Sequence, residues 1–184
     1  GPQILESTRQ VDTIVLDKTG TITTGRMALV EVVPSDGHAA ATLLRLAGAL
    51  EDASEHPVGT AIAVGAREAG ALPAVEGFLS TRGLGVQGVV DGHAVAAGRP
   101  GGLSSEWAVN ESPSLVAERA RHEGAGRTVV GVAVDGRSAG LLVVSDTVKP
   151  GSADADAALR RLGLRPVLLT GDNARAAIEK ATKP

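Results

Sequence analysis

The stretch Val11-Asp12-Thr13-Ile14-Val15-Leu16-Asp17-Lys18-Thr19-Gly20-Thr21-Ile22-Thr23 decides how this chain is read. Its first half is apolar and β-branched and predicts a buried strand over 11–16. Asp17 follows at the C-terminal end of that strand, where open α/β sheets place their ligands. Gly20 lets the backbone approach an anion, and the hydroxyls of Thr19, Thr21 and Thr23 with the ammonium of Lys18 can meet phosphate oxygens. A carboxylate so placed can attack a phosphoryl group and carry it as an aspartyl phosphate. Taken by itself, Asp17 would be an acidic turn after a strand.

The same arrangement recurs near the end of the chain. Ser152 predicts the cap of a helix through Leu162, with Asp154 and Asp156 in its first turn and Gly163 as its stop. Arg165-Pro166-Val167-Leu168-Leu169 reads as a further buried strand, followed by Thr170-Gly171-Asp172-Asn173 and a short helix from about Ala174 to Lys180. The N-terminus of such a helix favours an anion. These two segments predict one parallel α/β unit divided by an insertion.

The insertion, roughly Arg26 to Val143, predicts a mostly antiparallel sheet with helices on it. A strand is expected at Ala28–Val33, then a helix over His38–Glu51 capped near Ser35 or Asp36, then a second helix from Pro57 to Gly70. Strands are expected near Val75–Ser80, Gln87–Val90, His93–Ala97, Thr128–Val134 and Ser138–Val144. Asp91-Gly92 and Asp135-Gly136 mark hairpin turns. Pro113 starts a third helix ending near Gly124, and the Gly/Pro/Ser-rich stretch Gly98–Pro113 reads as an exposed loop.

Composition excludes several classes. The 184 residues include no Cys, so neither disulfides nor thiolate metal sites are available. A hydrophobic content of 43% suffices for a core, but aromatics make up only 1%, so Val, Leu, Ile and Ala must fill it. The net charge of −3 gives no footprint for nucleic acid or an anionic membrane. No apolar run approaches the ~18 residues of a membrane helix, and no signal peptide is visible, which suggests a soluble intracellular domain. Gly20 and Gly25 have P-loop spacing, but Arg26 and Met27 stand where Lys and Ser/Thr are needed. Gly83-Leu84-Gly85-Val86-Gln87-Gly88 runs into a hairpin instead of a helix, so a dinucleotide fingerprint fails and a glycine-rich β-connection is the plain reading. His38, His93 and His122 lack ligand spacing and read as surface or turn residues. Glu118-Arg119-Ala120-Arg121 reads as a solvated helix face.

The run Asp17–Thr23 resembles the phosphorylation signature of the P-type ATPases. Ser54-Glu55-His56-Pro57 resembles the nucleotide-domain motif of their heavy-metal-transporting subclass. Gly126-Arg127-Thr128-Val129-Val130 and Asp146-Thr147-Val148-Lys149-Pro150 are also similar to that family. The resemblance implies a haloacid-dehalogenase-like parallel α/β phosphorylation domain, split and incomplete (1–25 and 144–184), around a nucleotide-binding domain (26–143). It implies Asp17 as the phosphorylated residue, with Lys18, Thr19, Thr21, Thr170, Gly171 and Asp172 around the phosphate, and magnesium held by Asp17 and Thr19. It assigns Glu51 to the adenine edge, His56 to orienting the ring, and Gly83 and Gly85 to the nucleotide pocket. Without it, Glu51 is the polar end of a helix and His56 a surface residue beside a helix-start proline. Arg99 stands where many copper pumps have Asn, either touching phosphate or facing solvent. Asp146 and Lys149 are expected to organise the fold.

The implied parent is an integral membrane pump. This region would lie at the cytoplasmic face, acting with the parent's own membrane and actuator domains. ATP and magnesium are the implied cofactors, and the transported metal is bound elsewhere in the parent. Copper is the first expectation, with zinc, cadmium or cobalt as alternatives. The chain stops at Pro184 before the family's phosphate-site Lys and Gly-Asp-Gly-x-Asn-Asp run, so it is expected to bind ATP with little turnover. Two other readings are a stand-alone haloacid-dehalogenase-like phosphohydrolase and a noncatalytic nucleotide-binding module. The first is disfavoured by Thr19, which stands where such phosphatases carry an acid/base Asp.

Overall fold

Two Asp-Gly pairs set the register of the larger sheet. In the computed structural model, which describes residues 12–17, 23–149 and 151–169, the elements run in this order: β1 (Thr13–Asp17), β2 (Thr23–Pro34), α1 (Ala40–Asp52), α2 (Pro57–Ala69), β3 (Val75–Thr81), β4 (Gly85–Val90), β5 (His93–Gly98), α3 (Pro100–Trp107), α4 (Pro113–Gly124), β6 (Thr128–Val134), β7 (Arg137–Val148), α5 (Ser152–Arg161) and β8 (Arg165–Leu169). Asp91 and Gly92 both adopt positive φ (49° and 78°), as do Asp135 and Gly136 (50° and 76°). That is the backbone a two-residue hairpin needs, and it pairs Val90 with His93 and Val134 with Arg137.

The result is an α/β protein of two compact units, one formed by Gly1–Arg26 with Asp146–Pro184 and the other by Met27–Ser145. In the first unit β1 and β8 pair in parallel, Thr13 opposite Arg165 and Asp17 opposite Leu169. The second carries the six-stranded sheet, order β2-β7-β6-β5-β4-β3, antiparallel through every pair from β3 to β7.

Both faces of that sheet are covered. Leu43, Leu46, Leu50 and Ile62 of α1 and α2 pack on Val86, Val95, Val130, Val132, Leu142 and Val144. On the other face Leu103 of α3 and Val109 meet Ala133, while Leu115 of α4 meets Val129 and Leu141. Strands covered on both sides read as continuous apolar runs, as Thr128–Val134 and Ala139–Val144 do. Small residues permit close approach: a Cβ on Gly48 of α1 would lie 2.1 Å from Ala66 Cβ of α2.

Several expectations are corrected. The stretch Gly98–Pro113 is not an open loop: Pro100 fills the first turn of α3, and Pro100, Leu103 and Val109 are buried. The first helix starts at Ala40, and neither Ser35 nor Asp36 caps it; Ser35 Oγ instead donates to Ser138 O at 2.9 Å. The cap of α5 is Gly151 in the left-handed region, with Ser152 as its first residue. β1 is half-buried among the described residues, with Val15 exposed. The helix expected at Ala174–Lys180 lies outside the described residues.

His122 is fully buried, contrary to its reading as a surface or turn residue. It lies on the face of α4 that carries Leu115, seven residues or about two turns earlier. Asp146 accepts a hydrogen bond from the buried Thr23 Oγ1, and Thr147 Oγ1 donates to Arg26 O at 3.2 Å, so this segment joins the entry strand.

Ile62→Ala should lower stability by about 3 kcal/mol in urea denaturation, through lost burial and a residual cavity. Val64→Ala, on the exposed side of the same helix, should stay within about 0.5 kcal/mol of the parent.

Candidate functional site

The end of α1, the start of α2, the β3–β4 connection and the junction of β5 with α3 enclose a cavity of about 590 Å³ in the second unit. Glu51, His56, Gly83, Gly85 and Arg99 all line it. These five residues are scattered over 49 positions of sequence (51 to 99), and the helix pair and the ends of β4 and β5 bring them to one cavity. Ser54, Gly59, Arg82 and Thr128 also line the cavity and were not singled out as site residues in the sequence.

Glu51 is only 6% exposed. It falls on the buried stripe of α1, four residues after Ala47 and eight after Leu43. Gly59 makes room for it: a Cβ there would meet Glu51 Oε2 at 2.3 Å and Ser54 Oγ at 3.0 Å. Burial pushes the carboxyl up to about 7, with a hydrogen bond from Ser54 opposing the shift. Ser54 Oγ accepts from His56 N at 3.2 Å, which leaves its hydroxyl proton for that carboxyl.

His56 is the N-cap of α2: its Nδ1 accepts from Val58 N at 3.2 Å, and Pro57 follows at the first helical position. The cap fixes the ring while its exposed remainder faces the cavity. Arg99 is exposed and caps α3 with its backbone alone, so its guanidinium is available to the cavity mouth.

The two glycines differ. Gly83 has φ 83°, and a Cβ there would touch nothing within 4 Å, so the turn alone demands glycine. At Gly85 a Cβ would lie 2.1 Å from Ala97 O, and at its partner Gly98 one would lie 2.1 Å from Leu84 O. This pair is required by the close approach of β4 and β5.

In the first unit Asp17 ends β1, exposed, level with Leu169 at the end of β8. An exposed carboxylate at that edge suits a hard cation or a phosphoryl group. Lys18, Thr19, Thr21, Thr170, Gly171 and Asp172 lie outside the described residues.

Two other features carry no comparable chemistry. A cavity of about 390 Å³ on the opposite sheet face, lined by Trp107, Val109, Ala133 and parts of β4 and β5, has no titratable side chain. Among the described residues one group of three His or acidic side chains has metal-like proximity: Glu31, Glu118 and His122, with ligand atoms within 4.8 Å of one another. Arg121 Nη2 lies 2.9 Å from His122 Nε2, and Arg127 Nη1 lies 3.1 Å from Nδ1. Two guanidiniums thus offset the acids, and the group is an ion-pair network tying α4 to β2. Arg121–Glu118 (2.6 Å) belongs to it and Arg119–Glu111 (2.9 Å) forms a separate pair beside it, so this helix face is more than a solvated charge run.

Glu51 makes the second unit's stability depend on pH. Its carboxyl is raised in the folded state from 4.5 to about 7. The stabilising contribution of the neutral form is therefore complete below pH 4.5 and lost as pH rises through 7. Relative to Glu51→Gln, the parent should lose on the order of 3 kcal/mol across that window in denaturation at stepped pH. A parallel pH dependence in both proteins would refute the assignment.

Residues 11–183 match the haloacid dehalogenase-like hydrolase family. A copper-exporting P-type ATPase of Mycobacterium tuberculosis is 44% identical over 183 residues, which is 100% of this chain and 23% of that protein. A crystal structure of a zinc-transporting PIB-type ATPase in the E2.Pi state superposes with a TM-score of 0.77 and 32% identity, covering 93% of this chain and 27% of that one. The crystal structure of the N-domain of a copper-transporting P-type ATPase covers 64% of this chain and 99% of its own, with a TM-score of 0.52 and 25% identity. This chain thus spans about a quarter of the length of the curated relatives it matches. No helix among the described residues is long and apolar enough to cross a membrane. The chain belongs to the haloacid dehalogenase-like hydrolase family and is similar to metal-transporting P-type ATPases.

Proposed function

We propose that the cavity of Met27–Ser145 binds ATP and that Asp17 receives its γ-phosphoryl group, as the catalytic region of a metal-exporting pump. The observation that carries this reading is the convergence of Glu51, His56, Gly83, Gly85 and Arg99 on one cavity of nucleotide-accommodating size. Glu51 meets the adenine edge, the capped imidazole of His56 packs against the ring, and Gly83 leaves open space beside it. Arg99 and Arg82, exposed at the mouth, balance phosphate charge. A carboxylate oxygen of Asp17 forms a bond to the γ-phosphorus while the bond to the β-phosphate oxygen breaks, and ADP leaves with that electron pair. Magnesium, when bound, offsets phosphate charge, and Asp17 with Thr19 would hold it.

On this reading residues 1–25 and 144–184 form the phosphorylation domain and 26–143 the nucleotide-binding domain. Lys18, Thr21, Thr170, Gly171 and Asp172 surround the phosphate. The parent couples ATP hydrolysis to metal transport across a membrane, with this region at the cytoplasmic face working with membrane and actuator domains. Copper is the favoured cargo because several of the similar proteins are copper exporters; the cargo itself is bound outside this region. The relatives' metals also include silver and zinc, which fits a cargo site outside this region.

Titration with ATP should shift backbone amides of Glu51, His56, Gly83 and Gly85. His56→Asn, which keeps an N-cap acceptor but removes the ring, should weaken ATP binding about tenfold with little change in stability. Shifts elsewhere, or unchanged affinity, would sink the adenine-pocket reading. In the parent pump, label from γ-phosphate-labelled ATP should be hydroxylamine-labile and absent from Asp17→Asn. Steady magnesium-dependent phosphate release by this chain without such label would favour a phosphohydrolase instead.

A further inference from the structure

Resting on the reading of this cavity as an ATP site, we propose that Glu51 recognises adenine as a neutral carboxylic acid, so that the affinity for ATP relative to GTP falls as Glu51 loses its proton.

The geometry comes first. Glu51 is buried at the cavity wall, nested against the N-terminal turn of α2 in space that exists only because residue 59 is glycine. Among the described residues no cation lies within ion-pair distance of it. The charged groups around it are otherwise engaged or solvated. Asp52, next in α1, pairs with Arg67 of α2. His56 and Glu55, between the helices, are exposed, as are Arg82 before β4 and Arg99 after β5. His56 Nδ1 is occupied by Val58 N. A buried carboxyl without a counter-charge keeps its proton, and burial indeed pushes this one up to about 7.

The chemistry of the base then discriminates. Adenine presents an acceptor, N1, beside a donor, the N6 amino group. A neutral acid offers the complement: its O–H donates to N1 while its carbonyl oxygen accepts from N6. A carboxylate offers two acceptors, so one of them faces the N1 lone pair. Guanine presents an acceptor, O6, beside two donors, N1–H and the N2 amino group; a neutral acid can match O6 with N1–H, but only the carboxylate fits both donors. Loss of the proton therefore turns a matched edge into a mismatched one for adenine while guanine keeps a matched pair, and leaving a buried polar group unpaired carries most of the change in the ratio. The proton stays on the carboxyl throughout. ATP binding at a pH above the titration draws one proton from solvent.

The test is calorimetric titration of the 184-residue chain with ATP and with GTP between about pH 6 and pH 8. Phosphate titration is common to both nucleotides and cancels in the ratio of their affinities. That ratio should fall roughly tenfold across the range. Buffers of different ionisation enthalpy should report proton uptake with ATP at the upper end. Glu51→Gln, whose amide supplies one donor and one acceptor at every pH, should flatten the ratio. A flat ratio in the parent chain, a sloping ratio in Glu51→Gln, or loss of ATP binding in a folded Glu51→Gln would each overturn the proposal. Should Glu51→Gln not fold, the carboxyl carbon shift of Glu51 in the ATP complex decides: a neutral-acid shift at about pH 7 supports the proposal, a carboxylate shift overturns it. Absence of ATP binding at every pH would remove the ATP reading and the proposal together, whereas ATP binding with a flat ratio would remove the proposal alone.

Discussion

The contact between Gly48 of α1 and Ala66 of α2 governs much of the larger unit. Its core contains almost no aromatic volume, since Phe78 and Trp107 are the chain's entire complement. Space must be closed by bringing elements together, and the helix pair does so at a distance that a single methyl on Gly48 would obstruct. The two helices run antiparallel through a short connection, so the same interface that sets Gly48 against Ala66 sets Glu51 against Gly59. The helices' close approach and the carboxyl's burial are thus one constraint seen at two levels of the same interface. Placing an acid there costs solvation, and the surrounding apolar core, from Leu43 to Ile62 and the sheet beneath, offsets that cost.

Most of the architecture is legible in the sequence because local and long-range signals agree. The Asp-Gly turns specify register, Pro57 and Pro113 open helices, and the doubly apolar runs of β6 and β7 match a sheet covered on both faces. The failures are equally physical. Gly98–Pro113 has loop composition, yet Pro100 with Leu103 and Trp107 three and seven positions on is a helix start with an apolar stripe. That signal is short and diluted by Gly101, Gly102 and two serines. His122 reads as polar, but its spacing from Leu115 places it on the buried face, where a guanidinium can donate to one ring nitrogen only and the ring N–H needs an acceptor such as Glu31, whose Oε2 lies 3.4 Å from Nε2.

The candidate site shows a different balance. Glu51, His56, Gly83, Gly85 and Arg99 are recognisable from motif resemblance, and the fold gathers them at one cavity. Their individual reasons for being there are not written in the motifs. His56 is at once a helix cap and a cavity wall. Gly85 answers to the neighbouring strand, and Gly83 to its turn. Gly59 carries no motif signal at all; its role emerges only from the side chain that fills the place of its missing Cβ. Sequence patterns report which residues matter more readily than whether a ligand, a turn or a packing contact is the cause.

The placement of β2 beside β7 has a consequence for how such a protein is assembled from parts. The segment Met27–Ser145 enters through one strand and leaves through its hydrogen-bonded neighbour, so its two ends lie about one strand spacing, ~4.8 Å, apart. A segment with abutting ends can be inserted into a host chain while hardly stretching either side of the join. Such a segment has the geometry of a cassette, with its hairpins free to vary in loop length and surface without moving the two ends.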